Sequence, residues 1–147
     1  MRVFSIILAD DEPNILYGMQ KGIDWDRLGF SVVGTAQNGK EVLDMMDEFH
    51  PDLVISDIKM PFMDGLELAK VVRRTMPWLR IVFLSGHDEF EYAQKAVSLH
   101  AGAYLLKPVS SAQLLETLGQ VAEQIEQEQQ LIRSVFNQHL REHFNPF

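Results

Sequence analysis

Five short apolar runs punctuate the chain: VFSIILA (3–9), SVVGTA (31–36), DLVISD (52–57), RIVFLSG (80–86) and AYLLKP (103–108). Each is rich in Val, Ile, Leu or aromatic residues, with apolar side chains at odd and even positions alike. A strand that reads this way is buried on both faces, as in a parallel sheet. Between the runs the spacing changes to that of a helix. In 39–49, Val42, Met46 and Phe49 fall on one face, and in 64–76 Leu68, Ala69, Val72 and Met76 do the same. Phe90, Ala93 and Val97 give 89–99 a weaker line, and Pro51 and Pro77 stop the helices before them. Five strands alternating with helices predict an α/β fold, a doubly wound five-stranded parallel sheet.

After Pro108 the pattern is helical to near the end of the chain, with Ser110 or Ser111 as the N-cap. Leu118, Ala122, Ile125, Gln129, Ile132 and Phe136 are spaced 4-3-4-3-4, a heptad seam with one polar position. A closing helix needs only about 11 or 12 residues. The division expected is therefore a domain over 1–121 and a helical linker or coiled-coil tail over 122–147. The seam joins two copies, folds back on its own domain, or frays in solution. Two heptads alone make a marginal coil. Near the end, HLREH (139–143) fits a zinc-protease helix pattern, with His139 and His143 on one face. No third ligand or cleft accompanies it, so a solvated helix face is expected.

Composition narrows the partners. The 147 residues suit one domain with some surplus, and a formal charge of -8 disfavours direct nucleic-acid contact, which needs clustered Lys and Arg. Cysteine is absent, which excludes disulfides and thiol chemistry. No stretch reaches the ~18 apolar residues of a membrane span. The first run meets acids rather than a cleavage site, so it reads as a strand and a cytoplasmic protein is expected.

The chemistry collects where the runs stop. The first ends in Asp10-Asp11-Glu12, the third in Asp57, the fourth in Ser85-Gly86 and the fifth in Lys107-Pro108. Ligands of open parallel sheets bind outside the carboxyl ends of the strands. Packed carboxylates repel unless a cation joins them. Mg²⁺ suits one or two carboxylates and usually accompanies a phosphoryl group. A carboxylate can be the nucleophile that forms an aspartyl-phosphate, with a hydroxyl and an ammonium holding the phosphoryl oxygens.

ADDEP, SDIKMPFMDG, LSG and LLKP, in this order, resemble the receiver domain of bacterial two-component response regulators over about 1–121. GIDWDRLGF (22–30) and SGHDEFEYAQKA (85–96) resemble a subgroup that usually carries a C-terminal AraC-type DNA-binding domain. The resemblance implies a flavodoxin-like strand order of 2-1-3-4-5. It implies that Asp57 accepts a phosphoryl group from a sensor histidine kinase. Asp11, Asp57 and the backbone carbonyl of Lys59 would ligate Mg²⁺, with Asp10 acting through a bound water. Ser85 and Lys107 would bond phosphoryl oxygens, Pro108 would follow a cis peptide bond, and Tyr104 would change rotamer with Ser85. Lys59 and His87 occupy the positions that tune phosphoryl lifetime. The output implied is a change in the face formed by the 89–99 helix, the fifth strand and the closing helix. That change would control homodimerisation and, through it, transcription.

Two other readings compete. A metal-dependent phosphatase with an aspartyl nucleophile needs a second Asp two residues on, where this chain has Lys59. A phosphate-independent interaction module would not need the acids and Lys107. The expected protein is thus a phosphoacceptor and not a turnover enzyme. The chain reaches Phe147 without a helix-turn-helix, so part of a longer transcription factor is expected, with a single-domain regulator as the alternative.

Overall fold

A computed structural model describes residues 2–86 and 103–144. In chain order these form β1 (Phe4–Ala9), α1 (Pro13–Gly22), a 3-10 turn (Asp26–Leu28), β2 (Phe30–Ala36), α2 (Gly39–Phe49), β3 (Leu53–Asp57), α3 (Gly65–Thr75), β4 (Arg80–Ser85), β5 (Ala103–Leu106) and α4 (Ser111–Phe144). The helix expected over 89–99 and His87 lie outside the described residues. The strands form one parallel sheet in the order β2-β1-β3-β4-β5. This is the doubly wound order that the resemblance implies.

Alternation along the strands builds two cores. Ile7, Ala9, Val54, Ile81 and Phe83 point to one face and pack with Val42, Met46, Leu68 and Val72 of α2 and α3. Ile6, Leu8, Leu53, Ile55, Val82 and Leu84 point to the other and pack with Leu16 of α1 and with Leu114, Leu118, Val121 and Ile125 of α4. Burying a side chain of this size stabilises by roughly 1.5–3 kcal/mol. That gain on both faces explains why the strands carry no polar stripe.

Helix ends are set by local chemistry. The Asn38 side chain accepts from the Glu41 backbone N–H at 2.9 Å and caps α2. Asp64 and Glu67 form a reciprocal capping box at the start of α3. Ser110 Oγ accepts from the Gln113 backbone N–H and starts α4. Asp64→Ala removes an acceptor that satisfies a helix-end N–H. A loss of about 1 kcal/mol is expected, read as a lower midpoint in a denaturant melt.

The helix α4 has 34 residues and, at 1.5 Å per residue, is about 51 Å long. Its contacts with the domain run past residue 121. Ile125 is buried, Ala122 packs beside it, Glu128 pairs with Arg80, and Gln129 accepts from Arg2. From Leu131 to His143 every side chain is exposed. The first four members of the heptad seam, Leu118, Ala122, Ile125 and Gln129, are therefore engaged by the chain's own domain.

Candidate functional site

The register of the sheet aligns the strand ends. Ala9 sits beside Ser56, so Asp10 follows β1 next to Asp57 at the end of β3. Asp57 pairs with Leu84, which places Ser85 one step further on β4. Ser85 pairs with Leu106, and its carbonyl accepts the Lys107 backbone N–H at 2.7 Å. Four functional groups thus come from four consecutive strand ends on either side of the β1/β3 junction. That junction is where the winding of the sheet reverses and a cleft opens.

Lys107 joins the two central acids. Its Nζ lies 3.1 Å from Asp10 Oδ2 and 3.4 Å from Asp57 Oδ2. Asp10 is 2% exposed, and its Oδ1 also accepts the Glu12 backbone N–H at 3.0 Å. Asp57 Oδ1 accepts the Ile58 backbone N–H at 2.7 Å, which fixes the rotation of the carboxylate. The Asp57 carboxyl is held above its ordinary pKa. Burial is the largest cause, Lys107 opposes it, and the Asp10 charge adds to it. Burial works to lower the Lys107 ammonium, but the charges of Asp57 and Asp10 outweigh it and the net shift is upward. Lys107 therefore stays an ammonium, and the cleft holds more negative charge than one lysine neutralises.

Two observations test whether a divalent cation and a phosphoryl group fit here. Carboxylate oxygens of Asp10, Asp11 and Glu12 lie within 4.8 Å of one another, close enough for one ion. Glu12, to which sequence reasoning gave no role, belongs to that trio, whereas Asp57 does not. Ser85 is fully buried, and its Oγ finds no hydrogen-bond partner among the described residues. A buried hydroxyl without a partner is costly, about 1–3 kcal/mol. The place of Ser85 one residue past Leu84, the strand partner of Asp57, makes it a candidate to bond an oxygen added to Asp57. The donor set of hard oxygens suits Mg²⁺, which would supply charge neutralisation between the acids and a phosphoryl group.

The remaining parts of the site are backbone. Gly65 N–H donates to the Ile58 carbonyl at 2.7 Å, and a Cβ at Gly65 would stand 2.6 Å from the Asp57 carbonyl oxygen. This close approach ties α3 to the strand that bears Asp57. The Lys107–Pro108 peptide is cis. Tyr104, half-buried on β5, pairs with Phe83 and packs on the core face shared with α2 and α3. Phe62, in the loop from Asp57 to Gly65, has φ 66° and is 91% exposed. Sequence spacing gave no signal for Phe62 or for the Gly65 clamp.

The chain is a doubly wound α/β domain that gathers acids, a hydroxyl and a lysine at its strand ends. The family model for the response regulator receiver domain matches residues 6–119, and the chain belongs to that family. It is 42% identical over 126 residues to the transcriptional regulatory protein YesN of Bacillus subtilis, covering 86% of this chain and 34% of that one. It is 35% identical over 138 residues to the transcriptional regulatory protein HptR of Staphylococcus aureus, covering 93% and 54%. The chain therefore spans between a third and about half of these relatives. Among solved structures, the REC domain of AraT, a response regulator from Geobacillus stearothermophilus, superposes with a TM-score of 0.79 at 39% identity. That match covers 86% of this chain and 98% of that one.

Proposed function

We propose that this chain is a phosphorylation-controlled switch in which Asp57 accepts a phosphoryl group from a sensor histidine kinase with Mg²⁺ in the acidic cleft. The observation that carries it is Lys107, bonded to Asp10 and Asp57, with the buried, unpartnered hydroxyl of Ser85 on the adjacent strand end. Asp57 attacks the phosphorus, the bond to the donor nitrogen breaks, and Lys107 and Ser85 hold oxygens of the transferred group. Asp11, Asp57 and the Lys59 carbonyl would hold the ion, with Asp10 acting through a bound water, and the ion would neutralise charge between the acids and the phosphoryl group. Lys59 and His87 set how long the group lasts. The new charge draws Ser85 and Tyr104, and the face around β5 and α4 changes its dimer contacts. Relatives that regulate transcription support an output at DNA, through a domain outside this chain and in the cytoplasm. The domain transfers one group to itself and is no turnover enzyme.

Incubation with acetyl phosphate and Mg²⁺ is expected to add one phosphoryl group to the intact protein, read by mass. EDTA is expected to abolish the gain. A folded protein that takes no group from acetyl phosphate or from any autophosphorylated histidine kinase overturns the proposal.

A further inference from the structure

The C-terminal part of α4 carries two histidines that the phosphoacceptor reading does not use. His139 and His143 are one helical turn apart, with ring centroids separated by 4.1 Å and planes tilted by 58°. Both are exposed and lie beyond the last residues of α4 that touch the domain. They share a face with Ile132 and Phe136, which are 61% and 59% exposed.

The helix positions explain how a second copy reaches this face. Leu115, Ala122, Gln129, Phe136 and His143 recur every seven residues, and Leu118, Ile125, Ile132 and His139 form the second row. In the lower part, Leu118 and Ile125 are buried by the chain's own sheet, whereas Leu115 is 43% exposed on the flank. A heptad row drifts around a straight helix by about 20° per heptad. Ala122 and Gln129 of the Leu115 row are also engaged by the domain, so a parallel partner helix meets this face only in the free stretch from 131 onward. The free stretch from 131 to 144 is about 21 Å long at 1.5 Å per residue. Two heptads give a marginal coil, so apolar contact alone leaves the pair weak.

Parallel pairing sets each residue against its own copy. His139 and His143 of both chains then form a group of four imidazoles inside the seam. Four buried imidazoles need partners for their ring nitrogens. Neutral imidazole nitrogens in a group of four are a ligand set for a tetrahedral borderline metal such as Zn²⁺. Hard Mg²⁺ prefers the oxygen cleft around Asp57, so the two metals sort to different ends of the molecule.

We propose that His139 and His143 form half of a transition-metal site, completed by the same pair from a second copy, which clips the two α4 helices together in parallel. The inference rests on the dimer contact in the proposed function and is independent of phosphorylation.

Sedimentation velocity over a concentration series tests it, with EDTA and with Zn²⁺ alone in saturating Mg²⁺. In the wild type, Zn²⁺ is expected to tighten self-association at least about tenfold, at one ion per two chains. His139→Ala and His143→Ala should each lose that effect and keep the weak association seen in EDTA. Both variants retain the acidic cleft, so Zn²⁺ bound there would persist in them and be recognised. Self-association that Zn²⁺ does not change, or Zn²⁺ bound to single chains without association, overturns the clip and leaves the dimer contact standing. No association under any condition overturns both, and labelling of Asp57 by acetyl phosphate is read separately.

Discussion

Asp57→Asn is expected to take no phosphoryl group from acetyl phosphate, a complete loss of the mass gain rather than a slowing. The amide replaces the one oxygen nucleophile that faces Lys107 at the end of β3. Asp10 cannot substitute for it, since it is 2% exposed and already bonded to Lys107 and the Glu12 backbone. The same variant is expected to be as stable as the wild type or more stable at neutral pH without Mg²⁺. Asp57 has a folded-state pKa above its ordinary value, chiefly through burial. A raised pKa means that the folded chain binds this proton more tightly than the unfolded chain. Its contribution to stability is present below the unfolded pKa and is lost as pH rises through the folded one. At neutral pH the ionised carboxylate is therefore a cost, and the amide removes it. Mg²⁺ offsets the same cost in the wild type, so the rise in melting temperature on adding Mg²⁺ should shrink in Asp57→Asn. A variant that still gained the phosphoryl group would place the acceptor elsewhere.

The strands and the acidic cleft were legible in the sequence for one reason. A parallel sheet buried on both faces leaves uninterrupted apolar runs, so a charge at the end of a run stands out. That rule located Asp10, Asp57, Ser85 and Lys107 on four strand ends, and the register sets them side by side. It did not find α1, because that helix contributes only Leu16 to the fully buried set and contains Gly18 and Gly22. Too few buried positions remain to show a period. Nor did it give Glu12 a role, since a third consecutive acid carries no spacing signal. In α4 the seam was legible, but its partner was not. Leu118 and Ile132 read alike in sequence, yet one lies under the sheet and the other is exposed. Where a continuous apolar face leaves its own domain depends on the size of that domain, which spacing on the helix does not encode.

Gly65→Ala should be the most damaging small substitution near the site, while the same change at Gly119 should be mildly stabilising. A Cβ on Gly65 would meet the Asp57 carbonyl oxygen at 2.6 Å, the Phe83 ring at 2.9 Å and the Ile58 Cα at 3.1 Å. Two of these three are backbone, and Phe83 is fully buried, so no flexible group can give way. Overpacking of this kind costs about 3 kcal/mol, or roughly 10 °C in melting temperature for a chain of this size. Relief comes from moving α3 away from β3, which strains the 2.7 Å bond from Gly65 N–H to the Ile58 carbonyl. Ile58 is also the residue whose backbone N–H orients the Asp57 carboxylate. The damage therefore reaches the chemistry, and the rate of labelling by acetyl phosphate should fall at least about tenfold, because small misplacements of a reacting atom are expensive. Gly119 has nothing within 4 Å and sits on the exposed side of α4. Alanine there should add about 1 kcal/mol through helix propensity and leave labelling unchanged. Equal effects of the two substitutions on labelling would show that α3 does not position Asp57 through Gly65, and the link from helix packing to the phosphoacceptor would have to run through another contact.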